Sequence, residues 1–190
     1  MIQCVKGTKD LLPDSIAAWQ FVESVFRSVS SRFGYEEMRT PIFEKTEVFS
    51  RSIGEATDIV NKEMYTFDDR GGDSITLRPE MTAALVRAVI QHSLMNASPS
   101  QRLWYFGPFF RYERPQKGRL RQFHQFGAEC LGSPNPESDA EIILLASDII
   151  RSAGIGEIKL LINSLGNANV RAAYRDELVK FLRSKQNELT

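Results

Sequence analysis

Two aromatic-rich segments on either side of a short basic loop constrain the fold of this chain more than any other feature. The segments are "RLWYFGPFFRYE" and "RQFHQFGAECLG", and residues 114–119, with a proline and a glycine, separate them. Aromatic residues are enriched in strands, and a short glycine-containing loop commonly joins the two strands of a hairpin. The centre of the chain is therefore predicted to be an antiparallel hairpin.

The elements predicted around this hairpin do not alternate regularly between strand and helix. Helices are expected from Asp14 or Ser15 as the capping residue to Gly34, from Pro79 to about Met95, over 140–153 and over 169–185. Strands are expected in "YEEMRTPIFE", which Pro41 interrupts, over 63–67 and 74–77 around "DDRGGD", and in "IKLLINSLG". Hairpin-joined strands with helices between and outside them predict an α+β fold, a largely antiparallel sheet flanked by helices.

Composition limits the classes of protein that remain. A chain of 190 residues fits one domain and does not exclude two. The formal net charge of zero argues against a protein that coats nucleic acid through bulk charge. Cys4 and Cys130 lack the spacing of a zinc site or a disulfide framework. The start "MIQCVKGTKD" has no secretory apolar core, so a cytoplasmic protein without a membrane span is expected.

The return strand of the hairpin carries a chemically mixed row of side chains. Alternate strand residues share a face, so one face would carry Arg121, Phe123, Gln125, Gly127 and Glu129. Arg111 and Glu113 share a face on the outgoing strand. An arginine that binds phosphate beside an aromatic ring that stacks on a base suits a nucleotide. The alternative is a solvated sheet face with exposed ion pairs, which leaves Phe123 among the charges unexplained.

These segments resemble those of the histidyl-tRNA synthetase family, one of the class II aminoacyl-tRNA synthetases. "FRYERPQKGRLRQFHQFGAE" is similar to the second class II motif, "TLRPEMTAALVRA" to the amino-acid-binding segment, and "GYEEMRTPIFEKTEVFSRSIGE" to the first, dimer-forming motif. The resemblance covers nearly the whole chain. It implies a class II synthetase-like sheet and a ligase that activates histidine with ATP to histidyl-adenylate and transfers it to tRNA(His) in protein synthesis.

The resemblance also implies roles for individual residues. Arg111 would be the catalytic residue that binds the α-phosphate of ATP. The other ATP-binding residues would be Glu113, Arg119 and Phe123. The histidine-binding residues would be Glu80, Met81, Thr82, Gln125 and Glu129. The acceptor end of the tRNA would contact Arg114, Gln116 and Lys117. Mg²⁺ would accompany ATP, and no metal site made of protein side chains is expected.

Two departures from the family pattern qualify these expectations. The family often has glycine at the position of Met81, whose side chain would either fill part of the pocket or face the core. The third motif and the "RGLDYY"-type segment are not found, so residues 1–190 are expected to form the N-terminal portion of the catalytic domain, without an anticodon-binding domain. The sheet and the active site would then be incomplete, leaving this chain inactive or weakly active by itself.

Two other functions stay open at this point. One is a histidine-sensing regulatory subunit of ATP phosphoribosyltransferase in histidine biosynthesis, which would need the amino-acid pocket but not the loop "ERPQKGR". The other is a dimerisation or RNA-contact module that binds neither ATP nor histidine. The resemblance favours the ligase, as a homodimer that forms through the first motif around Pro41.

Overall fold

The structure, a computed structural model, describes residues 1–53, 63–114, 116–163 and 166–188. Contacts within the chain divide it into two units, Met1–Gly156 and Glu157–Thr190. Three clusters of buried apolar side chains are found among the described residues, and all three lie in the first unit.

The first unit contains five helices and six strands among its described residues. The helices are α1 (Pro13–Arg32), α2 (Thr46–Ile53), α3 (Thr82–Gln91), α4 (Leu94–Ala97) and α5 (Pro136–Ser152). The strands are β1 (Glu36–Glu37), β2 (Phe43–Lys45), β3 (Tyr65–Asp68), β4 (Ser74–Leu77), β5 (Gln101–Phe110) and β6 (Gln122–Leu131).

Strands β5 and β6 form the predicted antiparallel hairpin. Their register runs from the pair Gln101–Leu131 to the pair Phe110–Gln122. Strand β1 pairs with the other edge of β5, in parallel and over two residues, which gives a three-stranded sheet in the order β1-β5-β6. The expectation of a largely antiparallel α+β fold is confirmed, with this short parallel pair as the exception.

A second three-stranded sheet has the order β2-β4-β3 and is antiparallel throughout. Its hairpin between β3 and β4 is the predicted one, and an Asp69 side-chain oxygen accepts hydrogen bonds from the backbone N–H groups of Gly71 (2.7 Å) and Asp73 (3.0 Å). Strand β3 begins two residues later than predicted. Pro41 separates β1 from β2, so the two halves of "YEEMRTPIFE" enter different sheets.

Helix α1 covers part of the predicted range but begins differently. It starts at Pro13, a favoured first position, and its N-cap Leu12 makes no side-chain capping bond. Asp14 and Ser15 therefore do not cap the helix as predicted, and the Ser15 hydroxyl instead donates to the Leu12 carbonyl (2.9 Å). The predicted stop at Gly34 is confirmed by its φ of 74°, a conformation that glycine adopts readily.

The helix predicted from Pro79 to Met95 begins later and is divided. It starts at Thr82 because the Glu80 carboxylate accepts from the backbone N–H groups of Thr82 (2.6 Å) and Ala83 (3.0 Å), which takes the place of a cap. Ser93, with φ 52°, separates α3 from the short α4. Helix α5 begins at Pro136, four residues before the predicted start.

The β1-β5-β6 sheet has helices on both faces. On one face, Trp104 packs in a buried cluster with Val25 and Val29 of α1 and with Leu145 and Ile149 of α5. On the other face, the part of the sheet formed by β5 packs against α3. That second cluster consists of Met81, Leu85, Val89, Leu103, Tyr105 and Phe109. The β6 side of this face carries the polar row described below.

The second unit contains helix α6 (Ala168–Ser184) and a 3₁₀ turn, Gln186–Glu188. The Asn167 side chain caps α6 by accepting from the Val170 N–H (3.0 Å), and the predicted helix is confirmed to within one residue. The strand predicted in "IKLLINSLG" is wrong for its described residues, since 157–163 form no strand and Leu161 is exposed. None of the described helices has the length and apolar character to cross a membrane.

Candidate active site

The β5–β6 register places the predicted row on one face of the sheet. Residues paired directly across antiparallel strands project to the same side. From one end of the face to the other, the pairs are Leu103–Glu129, Tyr105–Gly127, Gly107–Gln125 and Phe109–Phe123. A backbone bond from the Arg111 N–H to the Arg121 carbonyl (3.0 Å) continues the register. The sequence alternation therefore predicted this face correctly.

One end of the face is basic and aromatic. The Arg111 Nε donates to the Pro79 carbonyl (2.9 Å), and its guanidinium carbon lies 5.2 Å from the centre of the Phe123 ring. Glu113 lies between two arginines, 4.0 Å from Arg111 Nη1 and 3.3 Å from Arg119 Nη1. The side chains of Arg111 and Glu113 are only 22% and 16% exposed. This geometry differs from the solvated ion pairs of the alternative interpretation.

The opposite end of the face is acidic. The Thr82 hydroxyl donates to a Glu129 carboxylate oxygen (2.7 Å), which joins the start of α3 to β6. Glu80 is anchored beside it by the two backbone bonds at the start of α3. Burial raises the pKa of Glu129, the hydrogen bond from Thr82 opposes this, and the charge of Glu80 adds to it. Two carboxylates at this end thus attract a cation.

Tyr105 also belongs to the acidic end. Alternation from Arg111 places it on this face of β5, but no sequence pattern distinguished it from Phe109, the other aromatic residue there. It is 9% exposed. Burial, followed by the charge of Glu129, raises the pKa of Tyr105 to about 12, so its hydroxyl keeps its proton. The facing Gly127 leaves room for it, because a Cβ at Gly127 would overlap the Tyr105 hydroxyl. Only a glycine at this position lets the tyrosine lie across the strand.

Arg78 is a second residue that sequence reasoning missed. It is 5% exposed, and its guanidinium lies on the same face, 4.9 Å from the centre of the Phe109 ring. Its Nε donates to the Pro108 carbonyl (3.0 Å) and its Nη1 to the Thr40 carbonyl (3.1 Å). A Cβ at Gly107 would lie 2.6 Å from Arg78 Nη2, so the glycine is required for this arrangement.

The Met81 side chain faces the core and does not fill the pocket, which is the second of the two orientations expected from the sequence. The side chain is 2% exposed and packs in the cluster beneath α3. Its sulfur accepts from the Thr40 hydroxyl (3.4 Å) and contacts Arg78 Nη1 (3.6 Å). The side chain borders a cavity of about 230 Å³ between Thr40, Arg78 and Phe109. Only its backbone lies directly between Glu80 and Thr82.

The described residues of the basic loop, Arg114 and 116–119, are exposed, and the loop ends in a tight turn. Gln116 and Arg119 exchange backbone hydrogen bonds (3.2 and 2.9 Å), and Gly118 has φ 82°. The side chains of Arg114, Gln116 and Lys117 are all exposed. The loop therefore presents positive charge to solvent beside the basic end of the face.

The two histidines lie outside this face, as the alternation predicted for His124. The His124 ring lies 4.8 Å from the Trp19 ring and 5.6 Å from the Phe106 ring, and burial lowers its pKa. His92 is exposed at the end of α3. Among the described residues, no group of three or more His, Cys, Asp or Glu side chains could hold a metal. Both cysteines are free thiols.

The face formed by β5 and β6 therefore has two chemically different ends. An arginine fork and a flat ring are suited to a phosphate and a base at one end. Anchored carboxylates, a hydroxyl and an amide are suited to a small cationic group at the other. A ligand with both an anionic and a cationic part would fit along the two strands.

Comparisons with known proteins agree with this geometry. A histidine–tRNA ligase from Halorhodospira halophila is 57% identical over 189 residues, which are 99% of this chain and 44% of that protein. The apo histidyl-tRNA synthetase of S. aureus superposes with a TM-score of 0.75 at 41% identity, over 100% of this chain and 44% of that one. A third comparison is with a Bacillus halodurans protein described as an ATP phosphoribosyltransferase regulatory subunit/histidyl-tRNA synthetase. It superposes with a TM-score of 0.71 at 26% identity, over 83% of this chain and 39% of that one.

The chain thus spans less than half the length of these relatives. The family model for histidyl-tRNA synthetase matches residues 7–189, nearly all of the chain. Together with the two-ended face on β5 and β6, this match shows that the chain belongs to the histidyl-tRNA synthetase family.

Proposed function

We propose that the protein is a histidine–tRNA ligase, which activates histidine with ATP and transfers it to tRNA(His). The observation that carries the proposal is the 2.7 Å hydrogen bond from Thr82 to Glu129. It joins the amino-acid-binding segment to the hairpin that carries Arg111 and Phe123. Both parts of the pocket thereby lie on one face, where an adenylate and a histidine could lie end to end.

The basic end would bind ATP. Phe123 would stack on adenine, Glu113 would accept from its amino group, and Arg119 would contact the terminal phosphates. Arg111 would bind the α-phosphate as a histidine carboxylate oxygen attacks phosphorus and pyrophosphate leaves. Its bond to the Pro79 carbonyl fixes the guanidinium before ATP arrives. Such prearranged charge is commonly the largest contribution to this kind of chemistry.

The acidic end would bind histidine. Glu80, Thr82 and Gln125 would hold the α-amino group, and Glu129 would face the imidazole. Tyr105, protonated and close to Glu129, would add a hydroxyl donor at the base of the same pocket. Met81 would contribute its backbone between Glu80 and Thr82, since its side chain is buried in the core.

Arg114, Gln116 and Lys117 would guide the tRNA acceptor end to the pocket. A terminal ribose hydroxyl would then attack the histidyl carbonyl carbon, and AMP would leave. Exposed cations beside the pocket suit the phosphate backbone, which dominates the affinity of proteins for nucleic acid. ATP would enter as its magnesium complex, with phosphate oxygens and water as the principal ligands of the ion.

Further proposals concern the assembly and the cell compartment. Residues 1–190 would form the N-terminal portion of a class II catalytic domain. A homodimer would form through the first motif, where Ile42 and Phe43 next to Pro41 expose large apolar side chains, as does Phe67 on β3. With ATP, histidine and tRNA as its substrates, the protein would act in the cytoplasm.

A histidine-sensing regulatory subunit of ATP phosphoribosyltransferase is a second candidate, which the Bacillus halodurans neighbour favours. Such a subunit would bind histidine without charging tRNA. Charging of tRNA(His) by the natural full-length protein would reject it. Stimulation of a phosphoribosyltransferase without charging would reject the ligase.

Arg111→Ala provides a direct test of the ligase. Removing a prearranged charge that acts on the reacting phosphate is expected to lower kcat of histidine-dependent ATP–pyrophosphate exchange by about 10²- to 10³-fold. The measurement uses the natural full-length protein, with Arg151→Ala on the exposed end of α5 as the matched control. Wild-type protein without exchange, or an Arg111→Ala variant as active as the control, would contradict the proposal.

A further inference from the structure

Arg78 makes more connections between separate elements than the roles proposed above require. Its backbone N–H donates to the Ile42 carbonyl (2.9 Å), and its carbonyl accepts from the Phe110 N–H (3.1 Å). The residue therefore joins the β2-β4-β3 sheet to strand β5 through the main chain. Its side chain repeats the connection through the carbonyls of Thr40 and Pro108.

The residues that follow Arg78 hold both ends of the pocket. The Pro79 carbonyl accepts from Arg111 Nε (2.9 Å). Glu80 accepts the first backbone N–H groups of α3, which carries Thr82. Arg78, Pro79 and Glu80 thus form a corner, and a displacement of this corner moves the basic end and the acidic end together.

Stability alone does not account for the buried guanidinium of Arg78. Burial lowers the pKa of Arg78, and the charge of the Glu44 carboxylate opposes this shift. Glu44, however, already pairs with Arg87. Its contacts are carbonyls, a sulfur and the face of Phe109. A buried charge without its own carboxylate carries a desolvation cost that apolar packing would avoid. The planar fork does, however, reach two carbonyls in fixed directions, which a lysine cannot do.

We infer that Arg78 is a positioning residue: it ties the segment Thr40–Ile42 to strand β5 and so holds the corner that orients Arg111 and the first turn of α3. The inference rests on the proposed function, because the step that Arg78 supports is the attack of histidine on ATP. It also connects the segment around Pro41, the proposed dimer contact, with the reacting groups. Arg78 itself touches neither substrate.

The first test is Arg78→Lys in the natural full-length protein, assayed where circular dichroism shows every variant fully folded. Lysine keeps the charge but not the two-carbonyl fork, so Arg111 is expected to lose its fixed orientation. A misplacement of about 1 Å can lower a rate by about 100-fold. We expect kcat of histidine-dependent exchange to fall at least about tenfold, while KM for ATP changes much less. Arg87→Lys, in the partly buried pair with Glu44, is the matched control.

Gly107→Ala tests the same contact from the other side without removing any hydrogen-bonding group. The added methyl would lie 2.6 Å from Arg78 Nη2 and would displace the guanidinium. We expect a loss of kcat in the same direction, and a clearly smaller effect of Gly107→Ala when it is introduced into Arg78→Met. Gly156→Ala is the control, since nothing lies within 4 Å of its Cβ position.

Each result has a definite meaning. A lower kcat for Arg78→Lys, together with non-additive losses from Gly107→Ala and Arg78→Met in the double variant and active controls, supports the positioning role. An Arg78→Lys variant with wild-type kcat and KM, or losses that add fully in the double variant, overturns it. A wild-type protein that catalyses no exchange overturns the proposed function instead, so the two failures are distinguishable.

Discussion

At the scale of single residues, alternation along the hairpin was enough to predict which side chains share one face of the sheet. Phe123, Gln125 and Glu129 share a face with Arg111 because β5 and β6 pair without a bulge. Arg78 lies outside the hairpin and could not be found in this way, and alternation places Tyr105 on the face without indicating how close it lies to Glu129. The position of each side chain depends on a glycine that is distant in the sequence: Gly107 leaves space for Arg78, and Gly127 on the paired strand leaves space for Tyr105. Such contacts have no local pattern in the sequence.

Glu129→Gln is expected to change the pH dependence of stability. The pKa of Glu129 is raised above its ordinary value of 4.5 in the folded state, so the folded protein holds this proton more tightly than the unfolded chain. The contribution of Glu129 to stability is therefore present in acid and is lost as the pH rises through the raised pKa. Glutamine has no such loss and keeps an acceptor for Thr82.

Urea unfolding of the ligand-free protein at a series of pH values measures this effect. The variant should gain stability relative to wild type as the pH rises from 4.5 towards neutrality. Glu157→Gln, at an exposed position, should stay parallel to wild type. A constant difference between Glu129→Gln and wild type at all pH values would contradict the expectation.

At the scale of secondary-structure elements, the strands of the two hairpins were predicted well, whereas most helix starts and the strand in "IKLLINSLG" were not. Strand β4 has the predicted bounds, because its turn and its alternation are both local. Helix α3 starts late because Glu80 competes as a capping group, and Pro79 stays outside the helix. The strand in "IKLLINSLG" was predicted from an apolar run. A strand also needs a neighbouring strand to pair with, and an apolar run does not indicate whether such a neighbour is present.

Thr76→Val tests the centre of the β2-β4-β3 sheet. The buried Thr76 hydroxyl lies 2.9 Å from the Thr46 hydroxyl and 2.8 Å from that of Thr66. Valine keeps the shape but removes both hydrogen bonds, which should lower the free energy of unfolding by about 1 to 2 kcal/mol. Thr66→Val, which removes one bond at an exposed position, should cost less. Equal losses in a thermal or urea unfolding series would be the contrary result.

At the scale of the whole molecule, large apolar side chains remain exposed around the first motif. Phe43 on β2 is 54% exposed and Phe67 on β3 is 48% exposed. The register places both on the face of the sheet that also carries Ile75 and Leu77. The sequence predicted a dimer contact here from resemblance alone, whereas hydropathy gave no way to tell a covered face from an open one.

Phe43→Asp is expected to weaken the proposed homodimer. A charge at the centre of an apolar contact would have to be buried without a partner, so the dimer dissociation constant should rise at least about 100-fold. Sedimentation of the natural full-length protein over a range of concentrations measures it. Leu144→Asp, on the exposed side of α5, is the control and should leave association unchanged. A Phe43→Asp variant that associates as wild type does would place the dimer contact elsewhere.

The two backbone hydrogen bonds to Glu80 have a consequence for affinity. Because both carboxylate oxygens already accept from α3, the rotamer of this side chain is fixed when the protein folds. In the proposed histidine site, an arriving ammonium group would therefore meet an immobile acceptor, and little side-chain entropy would be lost at the moment of recognition. The same helix start partly neutralises the carboxylate, so a bound ammonium group would leave the proposed site without breaking a strong isolated ion pair.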